Sequence, residues 1–262
     1  MEQHLKKKTM NNGTVITSIK ENIATLTFHH PASNSFPSTL LNRLIENINR
    51  LSNDSAISLI IIQSEGNGAF CAGASFDELT AISSLEQGKQ FFSGFANLIN
   101  AMRKCQKLII GRIQGKVVGG GVGIVAACDY CFATEKADIK LSELTIGIGP
   151  FVIEPAITRK TGIAAFTKLS LDATDWHTSY WAKENGLFSR VFETTREMDE
   201  YVAILSQKLG SYNPEALIEM KKILWEGTTH WDTLLNERAE ISGKLALSDF
   251  TKKALQKFKK PS

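Results

Sequence analysis

The amino-acid sequence predicts an α/β fold with a helical C-terminal part, and three observations support this. Short runs rich in β-branched residues recur in the first half of the chain, at 14–19, 23–28 and 57–62. Later runs of this kind alternate with segments whose apolar residues follow helical spacing. From residue 155 onward, helical patterns dominate. Strands that alternate with helices indicate a mostly parallel sheet built from βαβ units.

The individual elements of the first half follow from their local patterns. Residues 14–19 and 23–28, joined by a polar Lys-Glu-Asn turn, are typical of a β-hairpin. Apolar residues at helical spacing predict a helix over 37–51, in which Pro37 suits the first turn. The continuous apolar run at 57–62 is expected in a strand that is covered on both faces. The remaining predicted elements are a helix over 84–105, a buried strand over 108–113 and a short strand over 130–133.

The second half is predicted to be mainly helical and to contain one short strand. A soft boundary near residues 190–210 divides the chain into an α/β core, 1–200, which carries the site, and a helical C-terminal region, 201–262. The predicted helices lie around 162–171, 175–184, 194–209, 214–225 and 229–247, and the strand lies near 187–192.

Composition and charge exclude several functional classes. The 262 residues include 30 Lys and Arg and 27 Asp and Glu, with 43% hydrophobic residues, which is typical of a globular chain. A net charge of +3 is too small to indicate a nucleic-acid partner. The longest relevant uncharged stretch, 117–128, is shorter than the roughly 20 residues that span a bilayer, so no membrane partner is expected. Four cysteines and no secretory signal pattern favour a cytoplasmic location.

Two glycine-rich loops stand at predicted strand-to-helix junctions, over residues 65–74 and 115–123. Such junctions present backbone N–H groups that helical hydrogen bonding leaves free, and glycine lets a ligand approach closely. One such loop alone could be a simple turn. Two loops that converge at strand ends could direct two N–H groups at one oxygen atom, which is what an oxyanion hole requires.

Nucleotide-binding loops do not account for these glycines. Lys116 precedes the glycines, and no Ser or Thr follows a Gly-Lys pair, so the phosphate-loop pattern is absent. The spacing of Gly119, Gly121 and Gly123 also differs from that of a dinucleotide-binding loop.

These loops and several other segments resemble the crotonase superfamily, which comprises the enoyl-coenzyme A (CoA) hydratases and isomerases. The resemblance runs from the opening hairpin to the basic C-terminal helix. The segments that carry it are FCAGASF at 70–76, GGG at 119–121, CD at 128–129, LSELTIGI at 141–148, ERAE at 237–240 and the tail over 250–261.

The resemblance implies a spiral of ββα units, a helical trimerisation region and an acyl-CoA thioester as substrate. The partners it implies are this substrate and further copies of the chain, two in a homotrimer or five in a dimer of trimers. The backbone N–H groups of Ala74 and Gly120 would bind the thioester oxygen. No metal or redox cofactor is implied, because stabilising an enolate in this way needs only hydrogen bonds, and CoA is part of the substrate. Further residues expected at the substrate are Ala72, Phe76, Leu79, Val122, Gly123, Phe151, Phe258 and Lys259.

The number of carboxylates separates the reactions of this family. The resemblance implies that a hydratase uses two glutamates, one two residues after the triple glycine and one about twenty residues later. In this chain the first position is Gly123 and the second is Glu143. The family's Δ3,Δ2-enoyl-CoA isomerases keep only the second, and one carboxylate is sufficient for a 1,3-proton shift. We therefore expect an isomerase, with a hydratase and a non-catalytic acyl-CoA-binding scaffold as alternatives.

Other polar residues have structural explanations alongside functional ones. A lone glutamate such as Glu143 is usually a surface or capping residue, but its apolar neighbours favour a buried base with a raised pKa. Glu154 could cap the helix that starts at Pro155 or supply a second acid–base group. Cys128 and Cys131 have the spacing of a zinc or redox pair, but no second ligand pair accompanies them, so packing is the preferred interpretation.

The two basic ends of the chain also have alternative explanations. The lysine-rich tail after residue 250 could be a solvated terminus, or Phe258 and the nearby lysines could contact the adenine and phosphates of CoA. Residues 6–8, three consecutive lysines, are not expected to belong to the site.

Overall fold

A six-stranded sheet organises the computed structural model, which describes residues 12–259. The strands are β1 (Thr14–Lys20), β2 (Ile23–His29), β3 (Leu59–Ser64), β4 (Leu108–Ile113), β5 (Val117–Val118), β6 (Tyr130–Thr134), β7 (Ile139–Lys140) and β8 (Arg190–Phe192). The strand order in the six-stranded sheet is β1-β2-β3-β4-β6-β8. The hairpin pair β1–β2 is antiparallel, and all other pairs in this sheet are parallel, which confirms the predicted hairpin and the mostly parallel sheet.

Helices cover the sheet and form most of the second half of the described chain. They are α1 (Ser38–Ser52), α2 (Phe76–Ala81), α3 (Leu85–Lys104), α4 (Gly120–Ala127), α5 (Glu154–Leu171), α6 (Ser179–Glu184), α7 (Thr195–Gly210), α8 (Pro214–Leu224), α9 (Trp231–Ala246) and α10 (Asp249–Lys259). A short 3₁₀ helix over Glu143–Ile146 follows β7.

Side-chain caps fix several helix starts. The Ser84 side chain accepts from the N–H of Gln87 at the start of α3. Thr194 and Glu197 form a capping box at the start of α7. Each cap satisfies N–H groups that have no partner inside the helix.

Two predicted boundaries are wrong for identifiable reasons. The helix predicted over 175–184 begins at Ser179, because His177 forms an antiparallel bridge with Ile139 and holds the preceding residues extended. The helix predicted around 162–171 is the second part of α5, which begins at Glu154 and is interrupted at Gly162, where φ is +78° and ψ is 160°. Glycine adopts this left-handed φ without steric cost.

A second, smaller set of strand contacts lies beside the main sheet. Strands β5 and β7 pair in parallel, with Val118 opposite Lys140. Isolated parallel bridges link Cys71 to Val117 and Phe36 to Ala74. These contacts bring both glycine-rich loops and the segment before Glu143 to one place.

The main hydrophobic core includes side chains from the C-terminal helices, among them Trp225, Trp231 and Leu235. Helices α3 and α9 pack closely where Gly88 meets Gly243, since a Cβ on Gly88 would lie 2.8 Å from the Cα of Gly243. The helical region therefore shares a core with the α/β part. None of the described helices is both long enough and apolar enough to cross a lipid bilayer.

Candidate active site

Backbone hydrogen bonds hold the two glycine-rich loops side by side. The N–H of Phe70 donates to the carbonyl oxygen of Lys116 at 2.9 Å, and the N–H of Val118 donates to that of Cys71 at 2.9 Å. Gly115 lies directly against the other loop, since a Cβ there would be 2.1 Å from the Gly68 carbonyl oxygen. The close approach of the loops therefore requires glycine at this position.

The backbone N–H of Ala74 is free in the described part of the chain, although the residues on both sides of Ala74 form hydrogen bonds with Phe36. The Gly73 carbonyl accepts from the N–H of Phe36 at 2.8 Å, and the N–H of Ser75 donates to the Phe36 carbonyl at 3.0 Å. The N–H groups of consecutive residues in an extended segment point to opposite sides. Among the described residues the Ala74 N–H has no acceptor, so it is available to a ligand.

Gly120 is the first residue of α4, and its N–H has no hydrogen-bond acceptor among residues 12–259. The first N–H groups of a helix have no partner within the helix and carry a partial positive charge. A Cβ on Gly120 would lie 2.3 Å from Cε1 of Phe95, so a side chain at this position would have to displace the Phe95 ring. Both Ala74 and Gly120 line the same cavity.

Glu143 lines the same cavity and lies beside the glycine loop that carries Gly120. The N–H of Gly119 donates to the Lys140 carbonyl at 2.9 Å, which holds the segment before Glu143 against the loop. A Cβ on Gly119 would lie 3.0 Å from Glu143 Oε1, which shows how close the carboxylate is to the glycine loop. Oε2 of Glu143 is buried and has no hydrogen-bond partner among the described residues.

Burial raises the pKa of the Glu143 carboxyl to about 7, and a bond from its own backbone N–H opposes this shift. A charged carboxylate is disfavoured where protein replaces water. A carboxyl group with a pKa near 7 can both accept and donate a proton at neutral pH, as a general acid–base group must.

The cavity has a volume of about 500 Å³ and is mainly apolar. Of the residues expected at the substrate, Ala72, Phe76, Leu79 and Phe151 line it. Several further lining residues were not predicted from the sequence: Phe91, Phe92, Phe95, Lys140, Ile153 and Ser242. The three phenylalanines follow a helical spacing within α3, which indicates a shared face but not that the face borders a cavity.

Val122 and Gly123 do not line this cavity, contrary to the sequence-based expectation. Val122 is fully buried in the main core, because α4 turns this side chain away from the loop. Gly123 packs against Ile153, and a Cβ at position 123 would lie 2.3 Å from Cγ2 of that side chain. Ile153 therefore takes up the space into which any side chain at position 123 would project.

Glu154, the other acidic candidate, and Glu78, which follows the first glycine-rich loop, have structural partners. Glu154 begins α5, accepts a 2.8 Å hydrogen bond from Thr158 Oγ1, and lies 3.8 Å from Arg238 Nη2. It is not among the cavity-lining residues. The Glu78 carboxylate accepts from the N–H of Ser38 at 2.9 Å, at the start of α1. Glu154 does not cap α5, because the N-cap is Ile153 and no side-chain cap bond is formed there. Its contacts, like those of Glu78, indicate a structural role.

Two predictions fall on residues whose side chains the structure does not describe. Phe258 and Lys259 belong to the last turn of α10, but their side chains lie outside the described part, so their contact with substrate stays a prediction. Residues 6–8 lie outside the described residues altogether.

The cysteines occupy packed positions. All four are buried and unpaired by disulfides. Burial raises the pKa of Cys71, within the first glycine-rich loop, to about 12, which keeps this thiol neutral. The sulfur atoms of Cys128 and Cys131 both approach Gly111, where a Cβ would lie 3.2 and 3.0 Å from them. Over residues 12–259, no group of three or more His, Cys, Asp and Glu side chains could hold a metal ion.

Comparison with known proteins places this site in context. Residues 18–260 match the family model described as enoyl-CoA hydratase/isomerase. The chain is 27% identical to the "Probable enoyl-CoA hydratase" of Bacillus subtilis, over 92% of this chain and 93% of that protein. It is 30% identical to the peroxisomal "Delta(3,5)-Delta(2,4)-dienoyl-CoA isomerase" of Arabidopsis thaliana, over 64% of each chain.

A solved structure shares the fold at lower sequence identity. The enoyl-CoA hydratase from Bacillus halodurans superposes with a TM-score of 0.86 at 23% identity, covering 93% of this chain and 99% of that one. This match includes the C-terminal helices, so the crotonase-like architecture expected from the sequence motifs is confirmed.

Proposed function

Because the chain belongs to the enoyl-CoA hydratase/isomerase family, we propose that it moves the double bond of a 3-enoyl-CoA to the 2-position. In this proposal the N–H groups of Ala74 and Gly120 bind the thioester oxygen. Glu143 carries the proton, and the apolar cavity holds the acyl chain.

The observation that carries this proposal is the solitary carboxylate. Glu143 is the one acidic residue among the cavity-lining residues of the described chain. The position that carries a second glutamate in hydratases is Gly123, and Ile153 fills the space beside it. Addition of water needs a group that orients the water molecule as well as one that deprotonates it, whereas a 1,3-proton shift needs one group that works twice.

The reaction balances with this set of residues. The Glu143 carboxylate removes a proton from C2, and the electron pair moves toward the thioester carbonyl to give a dienolate. The two N–H groups stabilise the negative oxygen, and their hydrogen bonds strengthen as charge develops on it. The protonated Glu143 then returns the proton at C4, and the double bond ends between C2 and C3. No water, metal or redox partner enters the balance.

Hydration of a 2-enoyl-CoA is the second candidate, and the names of relatives such as the Bacillus subtilis protein favour it. A non-catalytic acyl-CoA-binding scaffold is the third candidate. It would use the loops and the cavity to bind the thioester without converting it. The three candidates differ in what happens to 2-enoyl and 3-enoyl thioesters.

The test offers matched 2-enoyl and 3-enoyl thioesters to the wild type and to Glu143→Gln. We expect turnover of the 3-enoyl form and a loss of about 10²- to 10⁴-fold in kcat for the variant, since general acid–base catalysis contributes about that much. Glu154→Gln, which alters an acidic residue outside the cavity lining, serves as the control and should retain activity. Efficient hydration of the 2-enoyl form would contradict the proposal, and binding without turnover of either form would support the scaffold.

A further inference from the structure

Ser242 is a buried polar residue at the mainly apolar wall of the cavity, and its hydroxyl group is unsatisfied. It belongs to α9, its residue surface is 1% exposed, and it lines the cavity. Its Oγ has no hydrogen-bond partner among the described residues. A buried hydroxyl without a partner costs free energy, so a partner in the bound ligand would recover that cost.

The position of Ser242 along the cavity follows from its neighbours on α3. Gly120, at the thioester end, lies against Phe95. Gly243, next to Ser242, lies against Gly88. Phe95 and Gly88 are seven positions apart on α3, which corresponds to about 10 Å along a helix. Phe91 and Phe92 line the cavity between them. Ser242 is therefore placed beside the outer part of an extended acyl chain.

The charges around the cavity favour a neutral partner for this hydroxyl. Among the described lining residues Lys140 is the one cation, and its Nζ donates to the Thr174 carbonyl oxygen at 2.5 Å. The carboxylate of Glu143 would repel a second carboxylate within the same apolar space. A hydroxyl or keto oxygen on the substrate can pair with Ser242 and needs no cation.

We propose that Ser242 is a specificity-determining residue that selects acyl-CoA thioesters with a hydroxyl or keto oxygen on the outer half of the acyl chain. This inference rests on the proposed function only in that the same cavity holds the acyl group. It adds a substrate class, oxygenated acyl chains, that the solitary carboxylate and the oxyanion hole do not specify.

The test measures binding of saturated thioesters, which requires no turnover. Octanoyl-CoA is compared by calorimetry with analogues that carry one hydroxyl or keto oxygen at successive carbons of the outer half. We expect at least one analogue to bind the wild type about tenfold more tightly than octanoyl-CoA, in line with a hydrogen bond to an otherwise unsatisfied buried group. Ser242→Ala should reduce this ratio to near one, and Ser242→Thr, which keeps a hydroxyl, should restore part of it.

Ser206→Ala is the matched control. Ser206 is equally buried and its Oγ is also unpartnered among the described residues, but it lies on α7 and does not line the cavity. It should leave the binding ratio as in the wild type. If every oxygenated analogue binds the wild type no better than octanoyl-CoA, or if Ser242→Ala keeps the preference, the inference is wrong. If the wild type prefers an oxygenated analogue and Ser242→Ala loses that preference, but the wild type shows no isomerase turnover, only the proposed function is rejected.

Discussion

At the scale of single residues, the chemistry of the site follows from the burial of one carboxyl group. Glu143 follows β7 and lies beside the glycine loop, where Oε2 has no partner among the described residues. The sequence could indicate this glutamate as a candidate because of its apolar neighbours. It could not show that Ile153, thirty residues from Gly123, fills the space beside that glycine, because this contact depends on how α4 and α5 pack.

The raised pKa of Glu143 predicts how the reaction depends on pH. The base form must be ionised to remove the C2 proton, and burial raises its pKa to about 7. We therefore expect kcat/KM for a 3-enoyl-CoA to rise with pH and level off above about pH 7. A profile that is flat from about pH 5 to 8 would contradict Glu143 as the base. The Glu154→Gln control should show the same rising limb as the wild type.

The same shift predicts a pH-dependent stability gain for Glu143→Gln. The folded pKa of about 7 lies above the ordinary value of 4.5, so folding disfavours the ionised form. The resulting cost to folding stability is absent below pH 4.5. It grows as the pH rises from 4.5 to about 7, and it is complete above about pH 7. Its full size is on the order of 3 kcal/mol. Glu143→Gln should remove this cost.

Urea unfolding at about pH 5 and about pH 8 measures the stability effect. The variant should gain stability over the wild type mainly at the higher pH. Glu86→Gln, on the exposed first turn of α3, should shift stability equally at both values. A gain for Glu143→Gln that is the same at both pH values would show that the carboxyl is not destabilised by burial.

At the scale of elements, a buried ion pair fastens α8 to the sheet. Lys221 Nζ lies 2.6 Å from Asp129 Oδ2, and both side chains are 3% exposed. The other oxygen of Asp129 accepts from Trp225 Nε1 at 2.6 Å, and Oδ2 also accepts from the N–H of Ile109 at 2.7 Å. The sequence singled out Asp129 through its motif, but its partner is 92 residues away and no local pattern identifies it.

Removal of one partner of this pair should destabilise the fold strongly. Lys221→Met leaves the Asp129 carboxylate buried without its cation, which typically costs about 3–5 kcal/mol. Lys222→Met, at the next position of α8, removes an exposed lysine that pairs with Glu219, and exposed pairs contribute at most about 1 kcal/mol. Chemical denaturation of both variants provides the comparison. Equal losses for the two would show that the buried pair does not anchor α8.

At the scale of the whole molecule, the cavity wall and the C-terminal helix share one small hydrophobic cluster. Leu255 of α10 packs in this cluster with Leu79, Phe91 and Ile148, all three of which line the cavity. The alternation of strands with helices and the helical C-terminal part were predictable because hydrophobic spacing is a local property of the sequence. The joint packing of α3, α9 and α10 around the cavity was not, because it depends on contacts such as Gly88–Gly243 between residues far apart in sequence.

This shared cluster predicts that ligand binding stabilises α10. A ligand that fills the cavity contacts residues on which Leu255 packs, so local opening of α10 must also weaken ligand contacts. We expect octanoyl-CoA to slow backbone hydrogen exchange in α10. Helix α7 provides the internal control, because its Met198 and Val202 pack in a separate cluster that does not reach the cavity. Slowing of the same size in α7 and α10 would indicate global stabilisation. No change in α10 would show that this helix is not coupled to ligand binding.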